Sequence, residues 1–130
     1  MARKNESGIK RIVSRKVREP GPGLWSNCYR VGNQVILAGM VAWDRRGRLV
    51  GGNDPYRQSI QAFGNVKALI EAAGGSMRDI VKITCYLTDI RFRPAFVKAR
   101  RRFFRGDFPA AVVVGNVTLA ADNLLVEIDA

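Results

Sequence analysis

A chain of 130 residues, 47% of them hydrophobic, is long enough for one domain with a buried core and too short for two of ordinary size. It carries 22 Lys/Arg against 11 Asp/Glu, a formal charge of +11, with no histidine and two cysteines, Cys28 and Cys85, far from CxxC spacing. Histidine-based triads, ordinary zinc sites and paired-thiol redox chemistry therefore lose their raw material; both cysteines read as packed thiols, and no metal or other cofactor is expected.

The first 23 residues, MARKNESGIKRIVSRKVREPGPG, hold seven Lys/Arg and close on a Pro/Gly cluster. They read as a basic, frayed arm with at most one short strand near Ile9 to Val13, ahead of a single domain over residues 24–130. The arm lacks the apolar segment of a secretory signal, and no run of about 18 apolar residues occurs, so the expected compartment is the cytoplasm, with no membrane partner. In WSNCYRVGNQVILAGMVAW two strands are expected, joined through Gly32-Asn33, and DRRGRLVGGN follows as a loop.

Asp54-Pro55 predicts a helix start, because Asp caps free N–H groups and Pro suits the first turn; Gly74-Gly75 predicts its stop. Tyr56, Ile60, Phe63, Val66 and Ile70 then share one face, as in a helix laid on a sheet. Ile80 to Asp89 alternates as a strand, with Val81, Ile83, Cys85 and Leu87 on one side and Lys82, Thr84, Tyr86 and Thr88 on the other. A second helix from Pro94 to about Phe104 gathers Phe96, Arg100, Phe103 and Phe104 and spreads Lys98, Arg101, Arg102 and Arg105 over its outer surface. Strands over 110–117 and 124–129 complete the order β-β-β-α-β-α-β-β, an α+β domain of two layers with both helices on one face of the sheet. The open face must then meet water or another subunit.

Charge is uneven: seven Lys/Arg fall between Arg91 and Arg105 with no acid among them, and none follows Arg105. Such a stripe attracts anions, nucleic acid included, although aromatic residues are thinly interleaved there. On the last strand, alternation puts Glu127 with Leu125 and Asp129 on one face and Leu124, Val126 and Ile128 on the other. If a neighbour closes that face, burial raises the Glu127 pKa and suits the carboxylate to orienting water.

The segments VGNQVILAGMVA, GNVKALIEAAGGSMRDIVKITCYLTDI and FFRGDFPAAVVVGNVTLAADNLLVEIDA together resemble the reactive-intermediate-deaminase (Rid, or YjgF-like) superfamily from Trp25 onward. The resemblance implies a chorismate-mutase-like fold, a homotrimer whose open sheet faces form a central barrel, and small-molecule clefts between neighbouring subunits. In the imine-hydrolysing branch, an arginine after Phe-Pro-Ala grips the substrate carboxylate and a carboxylate on the last strand positions the attacking water. Here Glu127 matches the acid, Gly39 the glycine of a Ser-Gly turn, and Trp25 an aromatic that lines the cleft. The departures are Ala111 in place of the arginine, Ala38 in place of the serine, and Val97 at a helix position that can be polar.

Losing a two-pronged charge-assisted contact costs roughly 10²-fold in affinity for a carboxylate. Glu127 is thus the expected catalytic residue and Trp25, Gly39 and Ala111 the expected substrate-binding positions, in a more apolar cleft. Arg30, Arg93 and Arg100 are the candidates to replace the missing cation. Three readings stay open: an imine/enamine deaminase of altered substrate range, a non-enzymatic trimeric module that binds a ligand or protein, and, more weakly, an RNA-binding protein, for which no motif or histidine pair is present. The first needs a cleft with a sheltered carboxylate and room for water, whereas in the second Trp25 and Met40 fill the cleft.

Overall fold

The computed structural model describes residues 8–130. Strands β1 (Ile9–Arg11), β2 (Cys28–Val31) and β3 (Gln34–Leu37) form an antiparallel sheet in that order. A second sheet takes β4 (Met40–Val41), β7 (Val126–Asp129), β5 (Lys82–Leu87) and β6 (Ala110–Val114), with β5 and β6 parallel and the other pairs antiparallel. Helices α1 (Pro55–Ala72) and α2 (Arg93–Arg100) are packed against each other. Four strands, not three, precede α1: the β2–β3 ladder runs on through Ala38, whose N–H donates to Asn27 O in the same register, and after Gly39 the chain leaves that sheet as β4, which pairs with β7 in the second.

Helix α1 begins and ends as its sequence dictates. The Asp54 carboxylate accepts from Tyr56 and Arg57 N–H at 2.9 and 3.3 Å, and Pro55 opens the first turn. At the far end Gly74 has φ +92°, a left-handed turn that suits glycine, and Gly75 N–H closes back on Ile70 O at 2.9 Å. Phe63 and Val66 are fully buried, while Tyr56 and Ile60 are half-buried at the rim. The buried side of α1 also carries Gln58, Ser59 and Asn65, each satisfied by hydrogen bonds.

The aromatic cluster expected from α2 assembles around Phe63, whose ring lies 5.6, 5.2 and 5.8 Å from those of Phe96, Phe103 and Phe104. The helix itself stops at Arg100 and a turn carries the chain to Phe103. Alternation along β5 holds for Ile83, Cys85 and Leu87, all fully buried, but Val81 is 78% exposed. Pairing starts one residue later, at Lys82 opposite Ala110, so Val81 lies outside the strand. The last two strands are shorter than expected, since Asn116 turns with φ +58° and Leu125 N–H is taken by the Gln58 side chain instead of a neighbouring strand.

Residues 8–23 go beyond the expected frayed arm. Besides β1, which pairs with β2, Ile12 and Val17 are buried in the core and the Asn27 amide donates to Arg18 O at 2.8 Å. No helix among the described residues is long and apolar enough to cross a membrane.

Candidate functional site

The break after β3 places Gly39 beside β7, and the close approach there accounts for the glycine. A Cβ at this position would lie 2.6 Å from Glu127 Oε2 and 2.8 Å from its Cδ. Glu127 pairs in register with Val41 on one side and Tyr86 on the other. It is half-buried, and burial, followed by the charge of Asp129, holds its pKa above the ordinary carboxylate value. Asp129 is itself engaged, accepting from Thr84 N–H at 3.2 Å.

Trp25 is 51% exposed and is fixed by its indole N–H, which donates to Asn27 Oδ1 at 3.1 Å. Asn27 in turn is nearly buried and held by Arg18 O and by Glu19, whose carboxylate also pairs with Arg11. Trp25 and Gly39 border one cleft of about 170 Å³, with Arg18, Leu24, Met40 and Trp43 among the other walls. A water needs roughly 10–15 Å³ on this measure, so the space admits a small molecule with its hydration. Trp25 and Met40 line this cleft without filling it.

Several cleft residues carry little or no sequence signal of their own. The Arg18 guanidinium lies 5.0 Å from the Trp43 ring centre, and Asn65 donates to the Val41 and Trp43 carbonyls at 3.0 and 2.9 Å, fixing the strand that borders the cavity. A polar Asn on the apolar side of an otherwise amphipathic helix was the available clue for Asn65; Arg18 and Trp43 had none.

Ala111 is not brought to this cleft. It lies exposed on β6 opposite Ile83, whereas Glu127 shares a row with Tyr86 and Val114. Three residues of strand separate Ala111 from that row, about 10 Å, and the odd offset turns it to the opposite, helix-side face. Within one chain the expected site positions therefore fall into two groups, Trp25 and Gly39 with the catalytic candidate Glu127, and Ala111 apart.

Of the candidate replacement cations, Arg30 is committed elsewhere. Its guanidinium donates to Ala73 O and Gly32 O at 3.1 and 3.0 Å, closing the C-terminus of α1. Arg93 is exposed on α2, and Arg100 is half-buried. The two cysteines are packed thiols: burial pushes Cys28 up to about 11 and Cys85 up to about 12, so neither ionises near neutrality.

Comparison with known proteins matches residues 18–130 to the family described as Endoribonuclease L-PSP. A 2-iminobutanoate/2-iminopropanoate deaminase of Dermatophagoides farinae is 36% identical over 122 residues, 92% of this chain and 93% of that protein. A RutC family protein of Pyrococcus horikoshii is 34% identical over 109 residues, 83% of this chain and 85% of its own. Among solved structures, RidA from the Antarctic bacterium Psychrobacter sp. PAMC 21119 superposes with a TM-score of 0.82 at 30% identity, covering 92% of this chain and 95% of that one. With its fold and nearly its whole length shared with these proteins, the chain belongs to the Endoribonuclease L-PSP family, the group that includes the Rid and RutC proteins.

Proposed function

We propose that the protein is an imine/enamine deaminase of altered substrate range, working in clefts between the subunits of a homotrimer. The observation that carries this reading is the half-buried Glu127 carboxylate pressed against Gly39 beside an open cleft. The deaminase from Dermatophagoides farinae, similar over nearly the full length, supports the reaction class.

In hydrolysis of an imine, water adds to the C=N carbon while Glu127 takes its proton. The same carboxyl returns the proton to nitrogen to give the carbinolamine, then carries the hydroxyl proton to nitrogen as the C–N bond breaks, releasing ammonia and leaving the carbonyl product. Trp25 and Trp43 supply an apolar wall. Because Ala111 and Glu127 face opposite sides of the sheet, a site using both β6 and β7 draws on two chains. A scaffold role gains nothing from a sheltered carboxylate next to open space. Acid–base cleavage of RNA, which the family description suggests, finds no histidine in this chain.

The test is hydrolysis of freshly generated 2-iminopropanoate and of a bulkier apolar imine by the wild type, Ala111→Arg and Glu127→Gln. The expected result is turnover of the bulkier imine by the wild type, a fall of about 10²-fold or more in Glu127→Gln, and a shift toward 2-iminopropanoate in Ala111→Arg. Turnover of neither imine by the wild type sinks the reading.

A further inference from the structure

Arg100 stands apart from its neighbours on α2. Arg93, Lys98, Arg101 and Arg102 are exposed, whereas the Arg100 side chain turns inward, with Cζ 5.5 Å from the centre of the Phe96 ring and 5.8 Å from that of Phe108. Both distances are within the range of a cation–π contact. Its Nε is buried without a hydrogen-bond partner. The ion pairs among the described residues, Arg11–Glu19, Arg48–Asp44, Lys67–Glu71 and Arg91–Asp89, leave it without a carboxylate.

A cation held partly out of water with no acid and a buried donor unsatisfied is destabilising, and an anion meeting its guanidinium end would offset that cost. Its location says where. The charge of Arg100 reaches Cys85, opposing the larger effect of burial on that thiol. Cys85 lies opposite Val113, which shares its face of β6 with Ala111, and Phe108 comes three residues before Ala111. The guanidinium therefore lies on the helix side of the second sheet beside Phe108, which is 42% exposed and leads into β6, where Ala110 and Ala111 are exposed.

We propose that Arg100 is the anion anchor of this protein's site, binding the carboxylate of a substrate whose remaining part is flat and apolar and lies on Phe108. The inference rests on the deaminase reading for the identity of the reaction, but not for the binding. A planar fork beside two rings can meet a carboxylate with two parallel N–H groups at its outer end, and delivering it from α2 rather than β6 leaves space at Ala111 for a larger side chain.

Calorimetric titration with two product-type 2-oxo acids, 2-oxobutanoate and phenylpyruvate, tests the anchor without requiring turnover. Arg100→Met is expected to weaken both by about tenfold or more, Arg100→Lys to retain part of the affinity, and exposed Arg93→Met to bind like the wild type. Arg100→Met is also expected to melt no lower than the wild type, because it removes an unsatisfied buried donor; a residue with only a packing role predicts the reverse. Undiminished binding in folded Arg100→Met, or in both Arg100 variants, overturns the assignment. Arg100-dependent binding in a protein that hydrolyses no imine leaves the anchor standing and removes the deaminase reading instead.

Discussion

Glu127 is where the physical chemistry of a single side chain sets the behaviour of the site. Its raised pKa means that the folded protein holds this proton more tightly than the unfolded chain does. The sign follows: the favourable contribution of the protonated form is present below the ordinary carboxylate range and is lost as pH rises through the folded-state pKa. Ionised Glu127 is then a cost to folding at neutral pH, one that the proposed hydrolysis, which needs a base, accounts for. Glu127→Gln should therefore melt higher than the wild type at pH 7 and lose that advantage toward pH 4, measured by calorimetry across the range. The hydrolysis rate should fall with pH as Glu127 takes up its proton. A variant that melts lower at every pH would show that the ionised carboxylate stabilises the fold, contrary to its burial. Gly39 belongs to the same device, since any side chain there would push the carboxylate away.

Among the elements, α1 carries more than its apolar stripe. Gln58, fully buried, donates to Gly52 O at 2.7 Å and Asn123 O at 2.8 Å and accepts from Leu125 N–H at 2.9 Å, tying the loop before α1 to the approach of β7. Gln58→Ala would strand these backbone groups away from water, at a cost of about 3 kcal/mol. The melting temperature should drop by about 10 °C; a change within about 1 °C would show that water replaces the amide. This residue also marks the limit of what the sequence reveals. Local signals, such as Asp54-Pro55, Gly74-Gly75 and the alternation of Ile83, Cys85 and Leu87, report contacts made within one element and were legible. So was the side of β7 that Glu127 takes. Gln58, Asn65, Arg18 and Trp43 act through carbonyls or rings far along the chain, and nothing local specifies those partners. Residues 9–17 were hard to read for a related reason: few apolar residues stand in a basic stretch, where Ile12 and Val17 are buried but the adjacent Val13 is exposed, and β2 pairs with β1 to bring them to the core.

For the molecule as a whole, the arrangement of faces matters more than the net charge of +11. Glu127 and Tyr86 face one side of the second sheet, Ala111 and the region of Arg100 the other, and β6 is an unpaired edge with Val112 46% exposed. One chain cannot close a site around both groups, whereas a ring of three can place the β6 and α2 side of each subunit against the Gly39 and Glu127 side of the next. Such a head-to-tail interface makes complementation quantitative. Arg100→Met and Glu127→Gln, each impaired alone, should recover activity when unfolded together in equal amounts and refolded. In a randomly mixed ring about one quarter of the sites combine an intact Arg100 from one chain with an intact Glu127 from its neighbour. If both groups served the same chain, every site would carry a defect and mixing would restore nothing. Light scattering at three times 14.4 kDa for the refolded mixture has to accompany the rate, since recovery in a monomer would refute the shared site.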